Sequence, residues 1–310
     1  MKQYAKRSFI TWLTIFLLAF LIVPINSFAP SGVLVKGDVV SASRVRDRIL
    51  EIAEAYENHA WTPSEQNAYH TGSDDELRLD GLRVETPDEG YIKPTGGALG
   101  WWAPNEINVG IPYKWGGFSD LSQFDEGIES GKYAGDIWTN YDEKATTGNE
   151  KQLGSSHAVG VDCSGFVSRC WGITHHNSWT LIEVSWPIRF DDLKEGDILC
   201  SPGNHVMIFK QFLAFDKTII EVYEASAWDW KVSERIYDCE VNDQPYWAYD
   251  RKNKGYVQVS REGHGVALTH NGFTAQYWAY SHIRPILFDD THDEDNDEIV
   301  APDALLEIKD

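Results

Sequence analysis

The sequence predicts an α+β fold in which a helix carrying a cysteine packs on an antiparallel sheet carrying a histidine and a glutamate. Three stretches lead to that reading. In "VDCSGFVSRCWG", Cys163, Phe166, Val167 and Cys170 fall on one stripe of a helix that begins at the cysteine. The runs "GDILC", "HVMIFKQF" and "TIIEVYEAS" are β-rich and separated only by "SPGN" and "LAFDK", the pattern of antiparallel strands joined by short loops. Upstream, "SRVRDRILEIAEAYENHAW" spaces Val45, Ile49, Ile52, Ala53 and Tyr56 as one face of an amphipathic helix, behind the cap residues Ser41 and Ser43.

Taken in order, residues 1–29 read as an export signal. Lys2, Lys6 and Arg7 form a basic start, Phe9 to Val23 an apolar run, and Ser27-Phe28-Ala29 a small-x-small cleavage site, so cleavage is expected after Ala29. The apolar run is shorter than the ~20 residues that span a bilayer, which favours cleavage over an uncleaved anchor and leaves no stable membrane span. The expected location is therefore outside the cytoplasm: secreted, periplasmic or in the cell envelope.

Residues 30–109 form a helical and loop-rich N-terminal extension, with turns marked by "TPSEQN", "TPDEG" and "PTGGALG". Residues 110–287 carry the cysteine helix and the strands and are read as one domain. Within it, 118–160 is irregular apart from one short helix in "FSDLSQFDEGIESGKYAGDIW", while "KGYVQVS" and "YWAYSHIRPIL" are candidates for further strands. Residues 288–310 form an acidic tail. Asp293, Asp295 and Asp297 mimic the opening of a calcium loop, but Glu298 stands where that loop needs glycine and Ala304 where it needs a bidentate acid, so a solvated tail is the better reading.

Charge narrows the partners. The 310 residues carry a net charge of −21, which becomes −24 once the three positive charges of the signal are removed. Such a surface repels nucleic acid and anionic lipid, so no nucleic-acid partner is expected. Cysteines at 163, 170, 200 and 239 are too few and too widely spaced for a disulfide framework or a zinc ribbon, although one disulfide remains compatible with export. His175 and His176 are adjacent, but no acid or cysteine stands at ligand spacing, and no metal site is expected. Trp101, Trp102, Trp228 and Trp230 fit core or rim packing better than a sugar groove.

A thiol acts as a nucleophile only as thiolate, and a helix N-terminus supplies partial positive charge and free backbone N–H groups that favour the anion. The same N–H groups suit the oxyanion formed when a carbonyl is attacked. Cys163 is placed for this, although a cysteine opening a helix is more often an inert small residue. His205, after the "SPGN" turn, starts a strand, where a side chain can leave the core. If the next strand returns symmetrically about Ala214 and Phe215, Glu224 falls opposite His205, on the face where it can orient the imidazole. A slip of one residue would turn Glu224 away, and Glu221 lies on the other face.

The ordered set "IPYKWGG", "DCSGFV", "LKEGDILCSPGNHVMIF" and "VYEAS" is similar to the NlpC superfamily of papain-like cysteine peptidases and amidases, many of which cut peptide links in bacterial cell-wall peptidoglycan. The resemblance is best over 110–117 and 161–226 and looser over 43–109, where "HAWTPSEQNAYH" and "ETPDEG" look like an N-terminal extension of some bacterial relatives. It implies a papain-like α+β domain in which Cys163 attacks, His205 is base and then acid, and Glu224 occupies the third polar position. It implies that Tyr113 lines the site and assists the oxyanion, and that Asp162 and Ser164 help receive the free amine of a stem peptide. Gly116 and Gly117 are read as allowing close chain approach. The gap of some 45 residues between "YKWGG" and Cys163 is longer than in compact members, so a reshaped groove is expected.

The expectation is thus an exported cysteine hydrolase that cuts a peptide or amide bond through a thioester, with a peptidoglycan stem peptide as substrate and no cofactor. The rival within enzymes is an acyltransferase or lipid-linked amidase using the same three residues. The rival from another class is a binding or scaffold module in which they are vestigial.

Overall fold

In the computed structural model, the residues described are 42–70, 84–91, 99–137, 155–250, 255–258 and 265–283. The expected signal, 1–29, and acidic tail, 288–310, lie outside them. Three α-helices occur among the described residues: α1 (Ala42–Glu57), α2 (Leu121–Glu129) and α3 (Cys163–Cys170). Asp120 caps α2 by accepting from the Gln123 N–H at 2.7 Å, while the Gln123 side chain returns to the Asp120 N–H at 3.0 Å, a reciprocal cap that fixes where the helix starts.

The principal sheet is built from β1 (Ile198–Ser201), β2 (His205–Phe212), β3 (Ile219–Ser226), β4 (Lys231–Asn242), β5 (Gly265–His270) and β6 (Phe273–Ser281). Each of the first four pairs antiparallel with the next in sequence, β5 pairs with β4, and β6 pairs with β5. β6 also pairs with β1, with Trp278 opposite Cys200 and Tyr280 opposite Ile198. The sheet therefore closes into a six-stranded antiparallel barrel, with Trp186–Pro187 added outside against Tyr280 and Ser281.

This overturns the expected papain-like (NlpC-type) α+β architecture: the described molecule is mostly β, and α1 and α3 lie against the outside of a closed barrel. The physical reason is that residue alternation fixes which side of a strand faces the core but not which sheet edges meet. Closure here depends on pairing across some eighty residues, β1 with β6, and on two further strands, β4, which is largely polar, and β5, a short run of six residues. Closing the ring removes the two open edges that a flat sheet would leave unpaired.

The barrel explains the apolar pattern that made its first strands legible. Leu199, Met207, Phe209, Val222, Val266, Leu268 and Ala279 belong to the cluster that fills the interior. Ile198, Cys200, Val206, Ile208, Tyr223 and Ala225, on the other faces of β1 to β3, pack with Ile49, Ala53 and Tyr56 of α1 and with Phe166 and Val167 of α3. Strands covered on both faces read as continuous apolar runs. Each large aliphatic or aromatic side chain so buried contributes about 1.5–3 kcal/mol, enough for these two layers to dominate the packing. α1 is also pinned by Arg46, which donates to Asp197 at 2.8 Å, while the Ser281 hydroxyl donates to the same oxygen at 2.6 Å. No described helix is long and apolar enough to cross a membrane.

Candidate active site

Cys163 is the first residue of α3, which packs across β2 and β3. Asp162 starts the helix: its Oδ1 accepts from the Gly165 N–H at 2.6 Å and from the Ser164 hydroxyl at 3.0 Å. The start of α3 is pressed against the "YKWGG" loop. A Cβ on Gly165 would lie 1.9 Å from the Gly117 carbonyl oxygen, and one on Gly117 would lie 2.6 Å from the Gly160 carbonyl oxygen. Glycine at both positions lets the two backbones meet, as expected for Gly117, and sets how deep the cysteine sits.

Cys163 is 9% exposed. Beside it stands Tyr113, buried, with its ring edge-on to Trp230 and its backbone N–H donating to the Trp230 carbonyl at 2.8 Å. Burial, then the charges of Cys163 and Asp162, push the Tyr113 phenol well above its ordinary pKa, so it remains a proton donor. Asp162 is also raised, because burial outweighs its capping hydrogen bonds and the nearby His175 and Lys114. Ser164 is buried, with its hydroxyl turned to Asp162. The two residues placed by resemblance at the substrate amine are thus both engaged in starting α3.

His205 opens β2 after the turn 201–204, where Gly203 has φ +79° and leaves room for the Trp179 indole. The hairpin register is not the symmetric one. Ile208 lies opposite Tyr223 and Phe209 opposite Val222, with a bulge between Phe209 and Gln211. Glu224 consequently sits two residues along from the position opposite His205, diagonal to it. An even shift preserves the face, and long side chains bridge a diagonal pair. The imidazole Nε2 meets Glu224 Oε2 at 2.6 Å. Glu221 is on the other face, bonded to Gln211 and paired with Lys210.

The carboxylate thus engages Nε2 of the ring. Burial works against a charged His205, but a hydrogen bond with Cys163, one with Glu224 and the negative charges of both raise its pKa to about 10. The ring therefore favours its protonated form, next to the Glu224 carboxylate. Its side chain keeps 17% of its surface exposed, so solvent reaches the pair. Burial penalises the charge of Glu224 too, yet the hydrogen bond from His205 and the charges of His205 and Arg235 hold its pKa below the ordinary value.

Two residues around Glu224 were not anticipated. Arg235 Nε donates to Oε1 at 2.6 Å, and the Tyr237 hydroxyl lies 3.0 and 3.2 Å from the two oxygens. Both come from β4, where the alternation of Glu234, Asp238 and Glu240 with Arg235, Tyr237 and Cys239 was the available signal of a strand with one face turned inward.

Burial pushes the Cys170 and Cys200 thiols well up, and burial with the charge of Asp238 pushes Cys239 up to about 12. Among the tryptophans, Trp102 is fully buried, Trp230 packs on Tyr113, and Trp101 donates from its indole to the Trp230 carbonyl at 3.0 Å. His175 stacks on Phe118 with centroids 4.8 Å apart. Among the described residues, no group of three His, Cys, Asp or Glu side chains is arranged to hold a metal ion. Comparison with known protein families, with curated proteins and with solved structures gave no match to this chain.

Proposed function

We propose that the protein is a cysteine hydrolase that cleaves a peptide or amide bond through a thioester. The observation that carries this reading is the chain from Cys163, at the start of α3, to His205 and on to Glu224, buried at the third position. The thiolate attacks the amide carbonyl and forms a C–S bond. The oxyanion is held by the N–H groups of Cys163 and Ser164, ahead of the Gly165 N–H that Asp162 occupies, and by the Tyr113 phenol. Protonated His205 gives its proton to the nitrogen, the C–N bond breaks and the amine leaves. Water, losing a proton to His205, then attacks the thioester, the C–S bond breaks and a carboxylic acid departs. Glu224 stabilises the imidazolium throughout.

A peptidoglycan stem peptide is the first substrate to test, because the order of motifs resembles cell-wall amidases and the sequence begins with an export-like segment. The primary test needs no substrate. Iodoacetamide at mildly acidic pH is expected to label Cys163 ahead of Cys170, Cys200 and Cys239, and His205→Ala is expected to abolish the preference. Labelling of Cys163 no faster than that of a free thiol would favour a binding module. Release of new amine ends from purified peptidoglycan, absent with Cys163→Ala, would then separate cell-wall hydrolysis from acyl transfer to another acceptor.

A further inference from the structure

We propose that Arg235 is a positioning residue that fixes the charge and the orientation of Glu224 behind His205. The inference rests on the reading of Cys163, His205 and Glu224 as one chain, but it is carried by contacts that chain does not use. Glu224 is fully buried, and a carboxylate withdrawn from water keeps its charge only when partners replace the lost solvation. His205 occupies Oε2, and Arg235 Nε takes Oε1 at 2.6 Å. With one strong donor on each oxygen, the carboxylate plane cannot rotate without breaking a charged contact. Arg235 lies opposite Val222 on the neighbouring strand, so it reaches Glu224 diagonally, just as His205 does from the other side.

Arg235 is itself held in place. One terminal nitrogen donates to Asp229 in the β3–β4 turn, and the other donates to His270 Nε2 at 2.9 Å. His270 is oriented by its own Nδ1, which donates to the Ile236 carbonyl at 3.0 Å. The guanidinium therefore spends its fork on three elements at once, β3, the turn and β5, a role that a flexible ammonium cannot copy in full. The remaining titratable groups facing Glu224 are Tyr237 from β4 and Tyr277 from β6, both raised above their ordinary values chiefly by burial and by the charge of Glu224. Neither phenol can supply the positive charge. Arg235 is the partner that stays charged whatever His205 does during a reaction cycle.

The test is the ring-carbon resonance of His205 in full-length protein labelled with 13C-histidine, identified by its loss in His205→Gln and followed from neutral to strongly acidic pH. Protonation of Glu224 appears as a step in that resonance, whether or not Cys163 proves to be a nucleophile. In Arg235→Gln the step is expected about one to three pH units higher, the range an adjacent guanidinium ordinarily imposes on a carboxylate. Arg235→Lys is expected to return most of that displacement. A step in Arg235→Gln that coincides with the wild-type step would overturn the proposal. Should Arg235→Gln fail to fold, Asp229→Asn decides: with one anchor of the guanidinium gone, a smaller displacement in the same direction supports the role, and an unmoved step overturns it.

Discussion

His70 and His205 each lie between acidic groups, and each is held protonated well into the alkaline range. The ring of His70 meets Glu85 at 3.3 Å through Nδ1 and Asp88 at 3.1 Å through Nε2, and these two hydrogen bonds, Asp88 first, raise its pKa to about 9. His205 reaches about 10 through Cys163 and Glu224. The pKa values resemble each other, but the chemistry does not. Both nitrogens of His70 are occupied by carboxylates, which neither attack a carbonyl nor release the ring to a leaving group. His205 has a carboxylate on one nitrogen and a thiol group, Cys163, beside it, the pair proposed above to act on a carbonyl. The comparison teaches that a displaced pKa marks an ion pair, and that what else stands beside the ring decides whether the pair can do work.

The largest expected effect separates the two histidines by activity. On whichever amide substrate proves active, Cys163→Ala should leave no measurable turnover, and His205→Ala should lower kcat by about 10²–10⁴-fold. His70→Gln should leave kcat within about twofold, the size of a change that touches no reacting group. A collapse of turnover in His70→Gln would break the comparison outright.

Next comes Gly165→Ala, which acts on the nucleophile alone. The added methyl meets the Gly117 backbone, which has little freedom to retreat, so thermal denaturation should show a loss of about 1–3 kcal/mol or more, together with slower alkylation of Cys163. The His70 cluster should be untouched.

The third expectation concerns pH and stability. Because the pKa of His70 is raised on folding, its contribution is complete below about 6.5 and is lost as pH climbs through about 9. The ring is about a third exposed, and after solvent screening the contribution is on the order of 2 kcal/mol. Urea denaturation across that window should show wild-type stability declining and the His70→Gln profile flatter. The alkaline limb of activity should follow His205 instead, near about 10, in both proteins. The smallest effects come from paired deletions of a neutral donor. Tyr237→Phe removes the phenol from Glu224, and Thr86→Val removes a hydroxyl that donates to Asp88 at 2.5 Å. Each should cost about 1 kcal/mol in denaturation, and only Tyr237→Phe should also lower kcat.

The sequence made the neighbours of His205 more legible than the architecture, for identifiable reasons. Cys163 announced itself because a helical stripe starts there, and α1 because Ile49, Ala53 and Tyr56 keep helical spacing. β1 to β3 stood out because they are apolar on both faces. The pairing of His205 with Glu224 was inferred from a register that was wrong by two residues, and the face survived because strand periodicity is two. β4 stayed hidden because its alternation is between acidic residues and a face that itself carries Ser233 and Arg235, so it is weaker than an apolar alternation. In β5 and β6, Asn271 and Gly272, with φ of 50° and 79°, form the tight turn of "THNGFT", a hairpin signal that was present but not used. Closure by β6 had no local signal at all.

That closing strand sets a schedule. Residues 273–281 leave the ribosome more than a hundred positions after Cys163, so the nascent chain carries an open sheet until its ring is sealed. Tyr277, which faces Glu224, and His270, which holds Arg235, arrive only with β6 and β5. The order of synthesis thereby leaves the surroundings of Glu224 to be completed last.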